Sequence, residues 1–186
     1  MAPRLAPVLT ELDLPLQELQ AARLDGDLYA IGDGFASIDE FEQAHHRALS
    51  LGAIARPRFI AERMTAAWVH GAVPAPPAVF EFCVSHSARA RAQVSPRVQV
   101  REVVIAPSDV VRFGGIAVTS PLRTVIDLLR AEGDFANERM SQLLRLMSAN
   151  AIELDDCRRE VESRHKLAGK RRALDRIATL GEAARS

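Results

Sequence analysis

The chain has 186 residues, 48% of them apolar and 26% charged, with 24 Lys and Arg against 24 Asp and Glu. That length buries a sizeable core in one generous domain or two small ones. No apolar run approaches the roughly 18 residues of a membrane span, and the start MAPRLAPVLTELDLP lacks the charged-then-apolar order of a secretory signal, so a globular cytoplasmic protein away from membranes is expected. The charge is unevenly spread: residues 1–52 hold three Arg against nine Asp and Glu, residues 53–124 nine against four, and residues 125–186 twelve Lys and Arg against eleven. An acidic head and a basic middle imply two functional surfaces, or two halves that attract each other, and exclude a chain that binds nucleic acid with its whole surface. Cys83 and Cys157 lie far apart and read as reduced, buried thiols rather than a disulfide framework.

In chain order, LPLQELQAARLDG carries Pro15 where a helix begins, Leu16, Leu19 and Arg23 at helical spacing, and Gly26 where a C-terminal cap belongs. LYAIGDGFASI then gives Leu28 to Ile31, a Gly32-Asp33-Gly34 turn and Phe35 to Ile38, the pattern of a β-hairpin. A helix followed by a hairpin is the tail end of a winged helix. EFEQAHHRALSLGAI returns to helical period, with Asp39 as the expected N-cap. RFIAERMTAAWVHGA reads as a short strand entering a helix near Thr65 that closes at Gly71, and VPAPP is irregular. AVFEFCVSH and PRVQVREVVIA are β-rich; in the second, Arg97, Gln99 and Arg101 alternate with Val98 and Val100, which predicts one wet and one buried face. RFGGIAVTS reads as a turn into a third strand. From Ser120 onward the pattern is helical, over 121–131, about 135–148 with Met140, Leu143, Leu144 and Met147 as a stripe, 153–163 and 167–180.

The segment VTSPLRTVIDLLR places Ser120 to cap a helix, Pro121 in its first turn, and Leu122, Val125, Ile126 and Leu129 on its buried face. Arg123 and Asp127 stand four apart, either as a surface brace contributing about 0.2–0.5 kcal/mol or with Arg123 partly buried against carbonyls of the preceding strand. A structural role for the pair is expected over a chemical one. The segment resembles the strand-to-helix element VT-x-P-x-RT-x-x-D of the AbiEi family of antitoxins, the DNA-binding partners in type IV toxin–antitoxin systems, and of related actinobacterial regulators. FIAERMTAAWVHGA is similar to that family's strand leading into an AAW-x-HG helix, and LPLQELQAARLDGDLYAIGDGF to the last helix and wing of its N-terminal winged helix. The resemblance spans roughly residues 11–180, with three motifs in order, and makes Trp68, His70, Pro121, Arg123, Thr124 and Asp127 the family-motif residues, expected to be structural.

What the resemblance implies is an α+β protein: a truncated winged-helix-like head over residues 1–52, then an AbiEi-like domain over 53–186 with a small central sheet and C-terminal helices packed on it. It also implies an antitoxin-like regulator, a DNA-binding autorepressor that counteracts a nucleotidyltransferase toxin, with operator DNA and the cognate toxin as partners. Two departures shape that expectation. The head is short and its hairpin region carries Asp25, Asp27 and Asp33 where a wing wants cations, although phosphate neutralisation dominates DNA affinity. Some relatives continue into a domain similar to very-short-patch-repair endonucleases, whose core needs an acidic-x-Lys; the residues two before Lys166 and Lys170 are Arg164 and Ala168, which excludes that nuclease.

The remaining candidates are weaker. His45 and His46 with Glu42 lack a third ligand and read as a solvated helix face. Cys83 and His86 form a C-x-x-H without a second half, since structural zinc needs four ligands. Trp68 reads as a core anchor and His70 as a helix-end residue. Neither GDG nor FGGI precedes a helix as a phosphate loop requires. No enzyme, cofactor, metal or small-molecule substrate is expected. Two basic clusters remain as nucleic-acid or partner contacts: Arg89, Arg91, Arg97 and Arg101 on a loop and strand face, and Lys170, Arg171 and Arg172 on the last helix. The alternative reading, from another class, is a non-enzymatic protein-interaction module that has lost DNA binding.

Overall fold

The computed structural model describes residues 6–86, 96–133, 135 and 137–183. In the head, the amide and carbonyl of Leu9 both bond to Phe35 at 2.7 and 2.8 Å in an isolated antiparallel bridge. Helix α1 (Leu16–Asp25) follows, entered at Pro15 and closed by Gly26 at φ +87°. Strands β1 (Leu28–Ile31) and β2 (Gly34–Ser37) pair with Ile31 opposite Gly34, so the turn is the two residues Gly32 and Asp33. Glycine at 32 is required twice over: φ is +55°, and a Cβ there would lie 2.5 Å from Ser50 Oγ and 2.9 Å from the Trp68 ring. The helix and hairpin are where the sequence predicts, except that Gly34 belongs to β2 rather than to the turn and Ile38 lies beyond it.

Helix α2 is shorter than predicted, Ala44–Ser50. Asp39 is not its N-cap. Gln43 is, because its amide donates to His46 Nδ1 (3.2 Å) while His46 Nε2 meets Glu40 Oε2 at 2.7 Å. An imidazole that accepts at Nδ1 carries its proton on Nε2 and donates it to Glu40. His46 is therefore buried, not part of a solvated face.

The body is a mixed sheet of five strands, β3 (Ile60–Ala61), β4 (Phe80–Ser85), β5 (Val98–Val103), β6 (Val110–Phe113) and β7 (Ile116–Thr119), in the order β5-β4-β3-β7-β6. β4 and β5 are parallel, as are β3 and β7; the other two pairings are antiparallel. RFGGIAVTS is thus the turn and second arm of a β6–β7 hairpin, with Phe113 opposite Ile116. α3 (Arg63–Val69) leaves β3, and α4 (Pro121–Leu129), α5 (Asn137–Ala149), α6 (Leu154–Ser163) and α7 (Lys170–Ala183) complete the chain. These seven helices and seven strands among the described residues make an α+β architecture, with helices packed on a sheet. No described helix is long and apolar enough to cross a membrane.

Two apolar cores meet at α3. Its Ala66, Trp68 and Val69 share a core with Phe80 and Phe82 of the sheet, Phe59 just before β3, and Val8, Ile31, Ala48 and Leu51 of the head. Its Ala67 faces Val125, Ile126, Leu143, Leu146 and Ile177 of the helical layer. The predicted boundary at residue 52 therefore runs through a shared core. α4 is buried all round from Arg123 to Leu129 rather than along one face, because the sheet and α3 cover one side and α5 to α7 the other. On α5 the buried stripe is Leu143, Leu146 and Met147, while Leu144 is 44% exposed.

Candidate functional site

The motif residues interlock. α3 ends at His70, whose ring Nε2 meets the Thr119 carbonyl at 2.8 Å, and Thr119 Oγ1 bonds Thr124 Oγ1 at 2.7 Å. Burial lowers the His70 pKa, partly offset by that carbonyl bond, so the ring donates while neutral. Ser120 Oγ accepts from the Arg123 amide, and Pro121 opens α4, as predicted. Trp68 is 1% exposed and is the expected core anchor.

Arg123 is not a surface brace. Its guanidinium donates from Nε to Asp127 Oδ2 (2.9 Å) and from Nη1 to Asp109 Oδ2 (2.7 Å), with longer approaches to the Val104 carbonyl at 3.4 Å. Asp109 also takes Arg164 Nη2 at 2.5 Å, and Arg164 Nε reaches Glu160 at 2.7 Å. Asp127, fully buried, takes Arg130 Nε at 2.8 Å on its other oxygen, and Arg101 lies 3.9 Å from that oxygen. Arg101 itself holds Glu62 with both arms of its guanidinium. Four arginines and four carboxylates thus form one chain from β5 to α6. Each buried charge has an opposite partner, the condition under which ion pairs survive desolvation. Burial pulls the Arg101 pKa down, but the bond and charge of Glu62, with Asp127 behind it, leave it raised. Cys83 and Cys157 are both free and buried; burial pushes the Cys83 thiol up, and Cys157 to about 12, so neither is a nucleophile.

One end of this network opens on a cleft of about 300 Å³, lined by five arginines, Arg63, Arg101, Arg130, Arg139 and Arg172, against Glu81 and Glu132. They come from α3, β5, the C-terminus of α4, α5 and α7. Arg101 and Arg130 are fixed from behind by Glu62 and Asp127, and Arg130 Nη1 also bonds the Ala168 carbonyl at 3.2 Å. Arg139 and Arg172 bond, among the described residues, to the backbone carbonyls of Glu132 (3.4 Å) and Arg130 (3.0 Å). Their charge faces an open concavity, and a cleft with that donor set is suited to an anion.

Two of the predicted basic contacts, Arg101 and Arg172, are therefore brought together. The others are not. Arg97 is drawn to the head, bonding Asp33 at 2.8 Å while lying over the Phe80 ring, which makes one ion pair between the acidic head and the basic middle. Lys170 caps the end of α6, its Nζ donating to the Glu162 and Arg164 carbonyls at 2.7 and 3.2 Å. Arg171 is exposed on α7. Arg89 and Arg91 lie outside the described residues. Sequence reasoning missed Arg63, Arg130 and Arg139, which come from three different helices, so no run of basic residues marks them in the chain. Among the described residues no three His, Cys, Asp or Glu are grouped to hold a metal.

No protein-family model matches the chain. No curated protein is significantly similar to it. The crystal structure of the RV2827C protein from Mycobacterium tuberculosis is similar, with a TM-score of 0.51 over 97% of this chain and 74% of that one, at 16% identity. At that identity the likeness concerns the fold, and it agrees with the α+β architecture described above.

Proposed function

We propose that this chain is a non-enzymatic, antitoxin-like regulatory protein that binds DNA through its body rather than its head. The observation that carries the reading is the convergence of basic side chains from the middle and the end of the sequence: Arg101 and Arg172 meet around one cleft, with Arg171 exposed on the same helix. Phosphates are neutralised by such clusters. The head contributes order instead of cations, since Asp33 is held by Arg97 and the hairpin rests on Leu9. The interlocking of the AAW-x-HG and VT-x-P-x-RT-x-x-D motifs supports the resemblance to AbiEi-type regulators, whose partners would be operator DNA and a nucleotidyltransferase toxin.

The test is fluorescence anisotropy of the full chain against labelled DNA from immediately upstream of its gene, with an unrelated duplex as control, at low and then moderate salt. Specific binding that weakens steeply with salt is expected, and Arg171→Ala lowers the salt slope by about 0.9 if it holds one phosphate. No binding at micromolar protein in low salt would sink DNA recognition. A second reading, a protein-interaction module, is favoured by the apolar exposure of the acidic head: Phe41 is 88% exposed, Leu12 80% and Leu24 77%. A protein interface centred there shows no comparable salt slope.

A further inference from the structure

Arg63 combines two uncommon features. It stands at φ +48°, in the left-handed region where a residue with a branched-off Cβ is disfavoured. It is pinned there from both sides, because the Glu62 amide bonds the Glu81 carbonyl and the Met64 amide bonds the Glu81 carboxylate, each at 3.0 Å. Its Nε is buried without a hydrogen-bond partner, although Nη1 lies 3.5 Å from Glu81 Oε1. A buried guanidinium N–H with no acceptor is costly. A strained backbone and an unused donor on one residue in the wall of an arginine-lined cleft point to function.

We propose that the cleft is a binding site for a small phosphorylated molecule, with Arg63, Arg139 and Arg172 as phosphate donors and Arg101 and Arg130 as the fixed charges behind them. A phosphate presents several acceptor oxygens at the spacing of a guanidinium fork, and the Arg63 side chain, 29% exposed, lies in the cleft wall beside Arg139 and Arg172. The concavity of about 300 Å³ matches the lower end of small-ligand sites. Its walls come from five elements, and Met64 and Leu128 add apolar surface beside the charges, a mixture suited to a nucleotide-sized ligand.

The experiment is isothermal titration calorimetry of the full chain at low salt with two probes, pyrophosphate and adenosine monophosphate. Saturable binding of at least one probe is expected. Arg63→Gly relieves the backbone while deleting the donor, so affinity falls about tenfold or more as the melting temperature holds or rises. Arg139→Ala, on a half-exposed helix position, lowers affinity without touching that backbone. Arg171→Ala leaves probe affinity unchanged. Absence of binding by both probes at millimolar concentration, equal affinity in wild type, Arg63→Gly and Arg139→Ala, or an Arg171→Ala loss as large as that of Arg63→Gly each overturns the proposal. Probe binding with no DNA binding leaves the cleft standing and removes the DNA reading; the reverse result does the opposite.

Discussion

Asp127 accepts from Arg123 and Arg130 while fully buried, so each of its oxygens balances a different guanidinium. Asp127→Ala leaves both arginines without that carboxylate and is expected to cost about 3–5 kcal/mol in urea denaturation; a loss below about 1 kcal/mol would reduce the network to decoration. Asp109 gives the pH dependence. Burial pushes its carboxyl up, but bonds from Arg164 and the Ala106 amide and the charges of Arg123 and Arg164 outweigh it, holding the carboxyl below its ordinary value. A folded pKa below the unfolded one contributes stability that is present above about pH 3.9 and is lost as pH falls through the folded value. His70 has the same sign, since burial holds it neutral: its contribution is present above about pH 6.5 and fades below that. Asp109→Asn is therefore expected to flatten the melting-temperature profile below about pH 4, and His70→Gln to flatten it between that range and neutrality. At this scale the sequence displays the Arg123–Asp127 spacing, and with it a structural role. What it hides is the company: Asp109, Arg164, Glu62 and Arg101 arrive from other elements, and no local periodicity encodes a partner from across a sheet.

The elements that carry their own punctuation are the ones legible in the chain. α1 has Pro15 and Gly26 at its ends, and the β1–β2 hairpin has a glycine whose conformation and neighbours admit nothing larger. Gly32→Ala must both strain φ and press on Ser50 and Trp68, so a loss of about 1–3 kcal/mol is expected in thermal or urea melts. Elements whose identity depends on neighbours are harder to read. Asp39 is an acceptable cap by residue type, yet Gln43 takes the position because buried His46 can close the box and be held by Glu40. β6 is an edge strand of partly exposed residues, so alternation gives it little contrast with the loop before it. On α5, helical spacing puts Leu144 on the stripe with Met140, Leu143 and Met147, whereas packing in the helical layer buries Leu146 and leaves Leu144 exposed. Leu146→Ala should cost about 2–5 kcal/mol and Leu144→Ala about 0.5 kcal/mol or less. Equal losses would mean that α5 is rotated from the orientation described.

For the whole molecule, the decisive relation is between head and body. Val8, Ile31, Ala36, Ala48 and Leu51 share one core with Phe59, Trp68 and Phe80. Polar ties reinforce it: Arg47 Nη1 bonds the Trp68 and Val73 carbonyls at 2.7 and 3.0 Å, and Arg97 bonds Asp33. Removing residues 1–52 therefore uncovers a continuous apolar surface on the sheet side of α3 and leaves those carbonyls without Arg47. Burying such a surface contributes roughly 25 cal/mol per Å², and a marginally stable domain has only about 5–15 kcal/mol in total. The fragment 53–186 is expected to lose cooperative melting, or to melt well below the full chain. Trp68, the single tryptophan and 1% exposed, reports this directly: its emission shifts to longer wavelength in the fragment as water reaches the ring. A fragment that melts cooperatively with unshifted emission would make residue 52 a true domain boundary, and the acidic head would then be a separable module whose exposed Phe41, Leu12 and Leu24 await a partner of their own.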